Sequence, residues 1–355
     1  MEKNQGKERL MWLDVVRCVA IIGVIMCHVV EDVYVFNLQS VQNMSIWAQL
    51  FAFSVFVIGR LGVPFFLFST GYLMLDKTYD TAAIVHFWKT KWLGLLMATE
   101  FWLVVYNIFL PWFRGTGFSV KNMLGEMLFL KNSSMNHMWY MPMILGMYLL
   151  LPFVANALYK VRTELLFFPI AIFALLLLGI PSAGVLFKTW EIGIGSSIIS
   201  SGFSGGVYGL YILAGYIIKK GKLKKIPSAL LVPVAGLGVA AAVGMQIYSY
   251  SCAIAYNVFY SNIFLMIGSI GLFELLSRMQ SVHPPKVIST IAKYSFAVYL
   301  VHNPVNMILQ RILVRLDYKE IKTVLIVIVT LTLSVVLSKG INAIPVVGKK
   351  ILYMR

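Results

Sequence analysis

Ten long apolar stretches constrain the fold of this chain more than any other feature of its sequence. A helix that crosses a bilayer needs ~20 mostly apolar residues, and backbone in lipid must satisfy its own hydrogen bonds. With 59% hydrophobic and only 12% charged residues in 355 positions, the composition excludes a soluble globular protein. The sequence therefore predicts an all-α, polytopic integral membrane protein whose residues 1–355 form a single domain. The ten predicted spans are 12–36, 48–75, 92–113, 137–158, 166–187, 197–218, 228–249, 255–277, 287–311 and 322–345.

The distribution of basic residues predicts the orientation of these spans. The formal net charge is +16, and most lysine and arginine residues fall in short segments between apolar stretches. With a cytoplasmic N-terminus, the inner loops carry more than twice as many of these residues as the outer loops, as the positive-inside rule requires. We therefore expect both termini in the cytoplasm. Because topology and the lipid bilayer account for the charge, no nucleic-acid partner is expected.

The first apolar stretch carries ionisable side chains that a simple membrane anchor would lack. Asp14, Arg17, His28 and Glu31 lie within it. At ~100° per residue, the step from Arg17 to His28 returns to nearly the same side of the helix. Ionisable groups at membrane depth usually face a protein interior or a wet cavity. We interpret this stripe as one wall of an active site.

In that interpretation Arg17 binds an anionic ligand or its thioester carbonyl, Asp14 orients Arg17, and His28 is a general base because its ordinary pKa lies near neutral pH. A neighbouring carboxylate, Glu31 or Asp32, is a candidate to hold the tautomer of the imidazole. The alternative interpretation is an Asp–Arg pair that marks the end of the helix, with His28 hydrogen-bonded inside the bundle.

Arg60 lies deep in the second apolar stretch, where a guanidinium needs a counter-charge. The candidates are Glu31, Asp32, Glu100 or a phosphate group of a bound ligand. On this basis we predict that Arg60 and Glu31 take part in substrate binding.

Small and polar residues follow Arg60 in the same stretch. Pro64 and Gly71 predict a kink and a close approach to another helix. The hydroxyl groups of Ser69 and Thr70 are predicted to satisfy the backbone groups that Pro64 frees, and Thr70 is also a candidate substrate contact. For the small residues, helix packing is the favoured interpretation.

Two further polar clusters fall in the predicted outer half of the membrane. His137 and Trp139 stand at the outer start of the fourth span and are candidates to shape an acceptor pocket. Ser295, Tyr299 and His302 are spaced four and three apart, which puts them on one helix face. This face is either a second part of the site, with His302 as an alternative base, or a hydrogen-bonded seam between helices.

Neither the histidines nor the cysteines indicate a metal site. His28, His137 and His302 fall on the same side of the bilayer, but their spacing is unlike a zinc-ligand signature. The three cysteines are too few for a disulfide framework, and we expect them to be packing residues. No metal cofactor is therefore expected.

Four motifs, in order along the chain, give it a resemblance to a known family. They are Leu13-Asp14-Val-Val-Arg17 followed after ten residues by His28, the segment from Arg60 to Leu73, His137-Met-Trp139-Tyr140, and Ser295-Phe-Ala-Val-Tyr299-Leu-Val-His302. With ten spans, these motifs resemble the acyltransferase-3 family of bacterial integral-membrane acyltransferases, in the type that stands alone without a fused extracytoplasmic domain. The spacing between Arg17 and His28 is the most specific of the four. In the second motif Thr70 takes the place where the family usually has Ser.

The resemblance implies transfer of an acyl group, most often acetyl, from cytoplasmic acyl-CoA to a hydroxyl of a surface polysaccharide or lipid-linked sugar. It also implies the inner or plasma membrane of a bacterium. Arg17 and His28 would be the critical pair, with Arg17, Lys89, Lys91 and the cluster Lys219–Lys225 as candidate partners of the donor phosphates on the inner side.

Several alternatives stay open at this point. The base is His28 or His302, transfer is direct or passes through an acyl-enzyme, and the oligomeric state, including a homo-oligomer, is not specified. The rival function is a membrane transporter or flippase of a small polar molecule, because kinked helices with intramembrane Arg and His also suit a substrate pathway.

Overall fold

The computed structural model describes residues 10–191, 202, 205–279 and 283–354, and every regular element in these ranges is helical. In the first half of the chain the helices are α1 (Met11–Tyr34), α2 (Leu38–Gln42), α3 (Ile46–Arg60), α4 (Gly62–Met74), α5 (Thr81–Phe87), α6 (Leu93–Arg114), α7 (Val120–Met127) and α8 (Tyr140–Tyr159). In the second half they are α9 (Phe167–Ala174), α10 (Ile180–Thr189), α11 (Gly206–Lys219), α12 (Ser228–Ser251), α13 (Ile263–Ser277), α14 (Lys286–Ile312), α15 (Lys319–Asn342) and α16 (Val347–Ile351). Single π-helical turns join α5 to α6 (Trp88–Trp92) and α9 to α10 (Leu175–Gly179), and 3-10 turns precede α8 (Asn136–Trp139) and α9 (Thr163–Leu166).

Seven helical segments among the described residues are long and apolar enough to cross a bilayer. They are Met11–Tyr34, Ile46–Met74, Thr81–Arg114, Asn136–Tyr159, Thr163–Thr189, Ser228–Ser251 and Lys319–Asn342. The prediction of an all-α, polytopic membrane protein is therefore confirmed. Three other predicted spans contain α11, α13 and α14, of which the first two are shorter apolar helices. The number of ten spans and the cytoplasmic termini stay predictions, and residues 197–201, 203 and 204 of the sixth predicted span lie outside the described residues.

Two predicted boundaries are wrong. The third span begins earlier than predicted, because α5, a π turn and α6 form one continuous helical segment from Thr81. The eighth begins later, at Ile263, because the preceding residues form a loop. The side chain of Asn262 accepts a hydrogen bond from the backbone N–H of Leu265 and so caps α13. Apolar residues in that loop gave it the hydropathy of a span.

Helix α1 lies at the centre of the bundle. It packs against α3, α4, α14 and α15, and most of its residues are buried. Asp14 is buried in this packing and Arg17, His28 and Glu31 are partly buried, so the protein covers part or all of each of these polar side chains of α1.

Where the sequence predicts a kink after Arg60, the helix is interrupted between α3 and α4. The two helices form one span interrupted at Leu61, three residues before Pro64, whose nitrogen cannot donate a hydrogen bond. The hydroxyls of Ser69 and Thr70 do not satisfy this break. They donate one turn back within α4, to the carbonyls of Phe65 and Phe66 at 2.7 and 3.0 Å, so that prediction is wrong.

The predicted close approach at Gly71 is also present. A Cβ atom added to Gly71 would lie 1.8 Å from the carbonyl oxygen of Ile212, and one added to Gly215 would lie 2.1 Å from that of Phe68. Helices α4 and α11 therefore touch backbone to backbone, as small residues in membrane helices permit.

The C-terminal segment packs back onto the bundle. Helix α16 contacts α6 and α15, and the indole Nε1 of Trp102 donates to the carbonyl of Ile351 at 3.0 Å. Leu352 is buried and the ring of Tyr353 lies 5.4 Å from that of Phe296. The residues after the last predicted span thus contribute to the interior of the domain.

Candidate active site

A cavity of about 370 Å³ runs along α1 inside the bundle. It has the size of an ordinary small-molecule site. Arg17 lines one end of the cavity, and His28, about 16 Å further along α1, lines the other. Nine of the predicted site residues line it: Arg17, His28, Arg60, Thr70, Lys91, His137, Trp139, Ser295 and Tyr299. The two ends of the polar stripe of α1 therefore open into the same space.

Four predicted site residues do not line this cavity. Asp14 is buried beside Arg17, with 3.5 Å between its Oδ1 and the guanidinium Nη1, which fits the predicted orienting contact. Glu31 lies beyond His28 on α1, His302 lies behind His28, and Lys89 is exposed on the outside of the bundle. The geometry does not bring Lys89 to the site.

The ring nitrogens of His28 have no hydrogen-bond partner among the residues that the structure describes, and the side chain lines the cavity. A ring nitrogen lies within 4.8 Å of a carboxylate oxygen of Glu31. Asp32 is instead engaged by Asn306, whose Nδ2 donates to it at 2.7 Å. Glu31 is thus the predicted carboxylate that the structure places near His28, and His28 lines the cavity, where a ligand can reach it.

His137 is fully engaged by the protein. Asn303 Nδ2 donates to its Nδ1 at 2.9 Å, which leaves the ring proton on Nε2, 3.3 Å from the Tyr106 hydroxyl oxygen. Tyr106 in turn donates to the carbonyl of Leu300, and Tyr299 donates to the carbonyl of His137 at 2.7 Å. His137 therefore shapes the cavity wall and does not offer a free base.

His302 is buried behind His28. Its Nδ1 donates to the carbonyl of Tyr299 at 2.8 Å, and its Nε2 is buried without a partner. The rings of His28 and His302 stack with their centroids 5.4 Å apart. Of the two candidate bases, His28 faces the cavity and His302 supports its ring.

The three histidine rings meet, with centroids 5.0 to 6.1 Å apart, but they are not a group whose ligand atoms all lie within 4.8 Å of one another. In the described part of the chain, one group offers three ligand atoms within 4.8 Å of one another: Cys27, His28 and Glu31. The guanidinium of Arg60 interacts electrostatically with Cys27 and Glu31, and a cation so placed opposes metal binding. The absence of a metal cofactor stays a prediction.

The end of the cavity near Arg17 is cationic. Lys91 and Lys293 line it together with Arg17, and Tyr353 of the C-terminal segment completes the wall. Lys293 was not among the predicted ligands, although a lysine within a predicted span is itself a signal of function.

The cluster Lys219–Lys225 does not reach the cavity. Lys219 lies over the ring of Tyr72, and Lys222 pairs with Glu164. Lys220 pairs with Asp76 at 2.5 Å, and this hydrogen bond raises the pKa of Lys220. The structure gives these lysines partners on the surface of the bundle, away from the site.

Arg60 lies at the end of the cavity near His28, which we call the deep end. None of the predicted carboxylates pairs with it. Within the described residues no carboxylate oxygen comes within 4.0 Å of its guanidinium. Instead the guanidinium lies over the rings of Phe56, Phe259 and Tyr260, 4.6, 5.1 and 5.6 Å from their centroids. Tyr260, in the loop before α13, also lines the cavity, and the sequence does not predict this because the apolar residues of that loop fall in a predicted span.

A second cavity, of about 400 Å³, lies beside the deep end of the first. Trp139 lines both cavities. The other polar residues around the second cavity are Thr99, Glu126, Lys131, Asn132, Ser133 and Asn136. Glu126 is buried and accepts hydrogen bonds from Asn107 Nδ2 and from the backbone N–H of Ser134, both at 3.0 Å, which fixes the loop around this cavity.

The cavity of α1 thus combines a cationic end, a histidine open to ligand and a neighbouring polar cavity. In comparisons with known proteins, no curated protein and no solved structure matches the chain. A family model described as an acyltransferase domain matches residues 10–340, nearly the whole chain. The chain therefore belongs to the acyltransferase-3 family of membrane acyltransferases.

Proposed function

We propose that this protein transfers an acyl group, acetyl being the expected one, from cytoplasmic acyl-CoA to a hydroxyl of an extracytoplasmic or lipid-linked glycan. The observation that carries the proposal is the single cavity that both Arg17 and His28 line. Its cationic end suits the phosphates of CoA, and its deep end suits a thioester beside His28, whose ring nitrogens have no hydrogen-bond partner in the described part of the chain. The proposed location is the inner or plasma membrane of a bacterium.

The chemistry follows from the two ends of the cavity. A sugar hydroxyl is a poor nucleophile at neutral pH, so a base must take its proton as the oxygen attacks the thioester carbon. His28 is the proposed base, and Glu31 lies close enough to favour the imidazolium that forms. When the carbon–sulfur bond breaks, CoA thiolate takes that proton from His28. The products are the sugar ester and CoA.

The second cavity is the proposed approach of the acceptor. Its amide and hydroxyl side chains offer donors and acceptors to sugar hydroxyls, and Trp139 offers an apolar face between the two cavities. An acceptor seated there would place a hydroxyl near the deep end of the first cavity. The walls around the reacting groups are then formed by Trp139, His137, Ser295 and Tyr299.

Cells that do and do not produce the protein provide the test of this function. Mass spectrometry of their surface polysaccharides and lipid-linked sugars should find ester-linked acyl groups, removable by mild alkali, only when the protein is present. A transporter or flippase would change the amount or location of a glycan and leave its hydroxyls without the ester, which would contradict the proposal.

Donor binding gives a prediction with a matched control. Arg17→Ala and Lys91→Ala are each expected to raise the KM for acetyl-CoA about tenfold, because each removes a charge-assisted contact to phosphate at the cavity. Lys89→Ala removes the same charge two residues away but outside the cavity, and should leave KM unchanged. The measurement is label transfer from acetyl-CoA in membrane vesicles at varied donor concentration. A KM raised equally by Lys89→Ala would show a general effect of surface charge.

A further inference from the structure

Arg60 is a buried cation that forms no ion pair with a carboxylate among the described residues, while Glu31 interacts with it electrostatically and Tyr260 through a side-chain hydrogen bond. Its side chain lies at the C-terminal end of α3, halfway along a membrane span, and is 8% exposed. Its Nε has no hydrogen-bond partner, and no carboxylate among the described residues lies within 4.0 Å. The side chain of Arg60 also lines the cavity.

Burial of a charged group costs free energy unless its surroundings replace the hydrogen bonds and charge stabilisation that water provided. The rings of Phe56, Phe259 and Tyr260 offset part of the cost through cation–π contacts, and the partial negative charge at the end of α3 offsets another part. Neither contact accepts a hydrogen bond from Nε. Nε is therefore left without an acceptor, and the part of Arg60 that lines the cavity is open to a ligand there.

The position of Arg60 beside His28 identifies which part of a ligand it would meet. Gly59 and Cys27 touch backbone to backbone, since a Cβ on Gly59 would lie 2.7 Å from the nitrogen of Cys27. The next residues along the two helices, Arg60 and His28, line the same end of the cavity. Arg17 stands about 16 Å from His28 along α1 and is therefore too far away to contact a carbonyl attacked there.

We propose that Arg60 is a catalytic residue that binds the carbonyl oxygen of the acyl thioester. This assignment rests on the proposed function. When the acceptor oxygen attacks the thioester carbon, its proton passes to His28 and the carbonyl π electrons move onto the oxygen. Arg60 donates to that oxyanion. As the carbonyl re-forms, the carbon–sulfur bond breaks and CoA leaves as the thiolate, which the imidazolium protonates.

A buried donor aimed at a developing oxyanion is worth far more than the same contact in water, because the site is preorganised and excludes solvent. Loss of one such donor typically lowers kcat by about 10²–10³. Arg60→Met, which removes the charge and keeps an unbranched side chain, is expected to show a loss of this size. Arg60→Lys keeps the charge but lacks the planar set of N–H donors of the guanidinium, and should show a smaller loss of kcat.

The decisive experiment compares two ligands on purified protein in nanodiscs. Acetyl-CoA carries the carbonyl, and S-ethyl-CoA replaces it with a methylene group. Wild-type protein should bind acetyl-CoA about tenfold more tightly, because a hydrogen bond to a charged group contributes roughly that factor. Arg60→Met should bind both ligands equally, with the affinity for S-ethyl-CoA unchanged. A purely structural role for Arg60 would weaken both ligands together.

Arg311→Met is the matched control, because its guanidinium also lies over a phenylalanine ring, that of Phe113 at 5.3 Å, but outside the cavity. It should keep the wild-type preference and rate. If the Met variant of Arg60 does not fold, Arg60→Lys serves as the test and should lower kcat by a larger factor than it raises the KM for acetyl-CoA.

Equal affinity of wild-type protein for the two ligands, or a preference that survives in Arg60→Met, would overturn the assignment of Arg60 alone. So would a kcat of Arg60→Lys equal to that of wild type. Wild-type protein that transfers no acyl group would instead overturn the proposed function.

Discussion

His28→Gln is expected to lower the rate of acyl transfer by a factor of about 10²–10⁴, the usual contribution of a positioned base. His28 lines the deep end of the cavity and has no hydrogen-bond partner in the described ranges, so its removal takes away a proton acceptor and breaks no contact of this kind. Binding of acetyl-CoA should therefore stay unchanged. The two measurements are label transfer in membrane vesicles and the Kd for acetyl-CoA on purified protein.

His302→Asn provides the control for this variant. His302 stacks on His28 but does not line the cavity, and an asparagine amide can still donate to the carbonyl of Tyr299. We expect a much smaller loss of rate. Losses of equal size in the two variants, or transfer that survives in His28→Gln, would contradict the assignment of His28 as the base.

The second large effect concerns the fold. Gly71→Ala is expected to destabilise the protein by about 3 kcal/mol or more, because the new Cβ would lie 1.8 Å from the carbonyl oxygen of Ile212. Backbone of α11 must move to relieve this contact, and the opposite contact of Gly215 with Phe68 holds it in place. Thermal unfolding followed by size-exclusion chromatography in detergent measures the loss.

Gly146→Ala is the matched control. Gly146 is also a glycine within a membrane helix, but a Cβ there would meet no atom within 4 Å. The better helix propensity of alanine should leave the midpoint of unfolding unchanged or slightly raised. Similar destabilisation by both substitutions would contradict the backbone contact between α4 and α11.

Hydropathy alone is enough to predict the class of fold, because lipid permits few backbone arrangements. It does not separate a buried loop from a span, since both are apolar. The residues from Tyr256 to Tyr260 are an example: they are mostly apolar but form a loop, in which Val258 and Tyr260 are buried and Phe259 is exposed. The folding back of Leu352 and Tyr353 depends on tertiary contacts with α6 and α14, which no local pattern records.

For the site, helical periodicity carried most of the prediction. The step from Arg17 to His28 places both side chains on the cavity, and the same rule could have separated Lys91 from Lys89, because residues two apart do not share a helix face. Arg60 was recognised as needing a partner. Its aromatic surroundings could not be predicted, because Phe259 and Tyr260 reach it from a loop some 200 residues away in sequence.

In the proposed reaction, an acyl group that enters from the cytoplasmic side is transferred covalently to a sugar hydroxyl. Inside-out membrane vesicles from producing cells expose that side and supply the natural acceptor. Incubation with acetyl-CoA labelled in the acetyl group should place alkali-labile label on glycan or lipid-linked sugar, with release of CoA, and His28→Gln vesicles should show almost none. Right-side-out vesicles should acquire label only after permeabilisation. Label recovered only as intact acetyl-CoA or free acetate, with no sugar ester, would contradict the account.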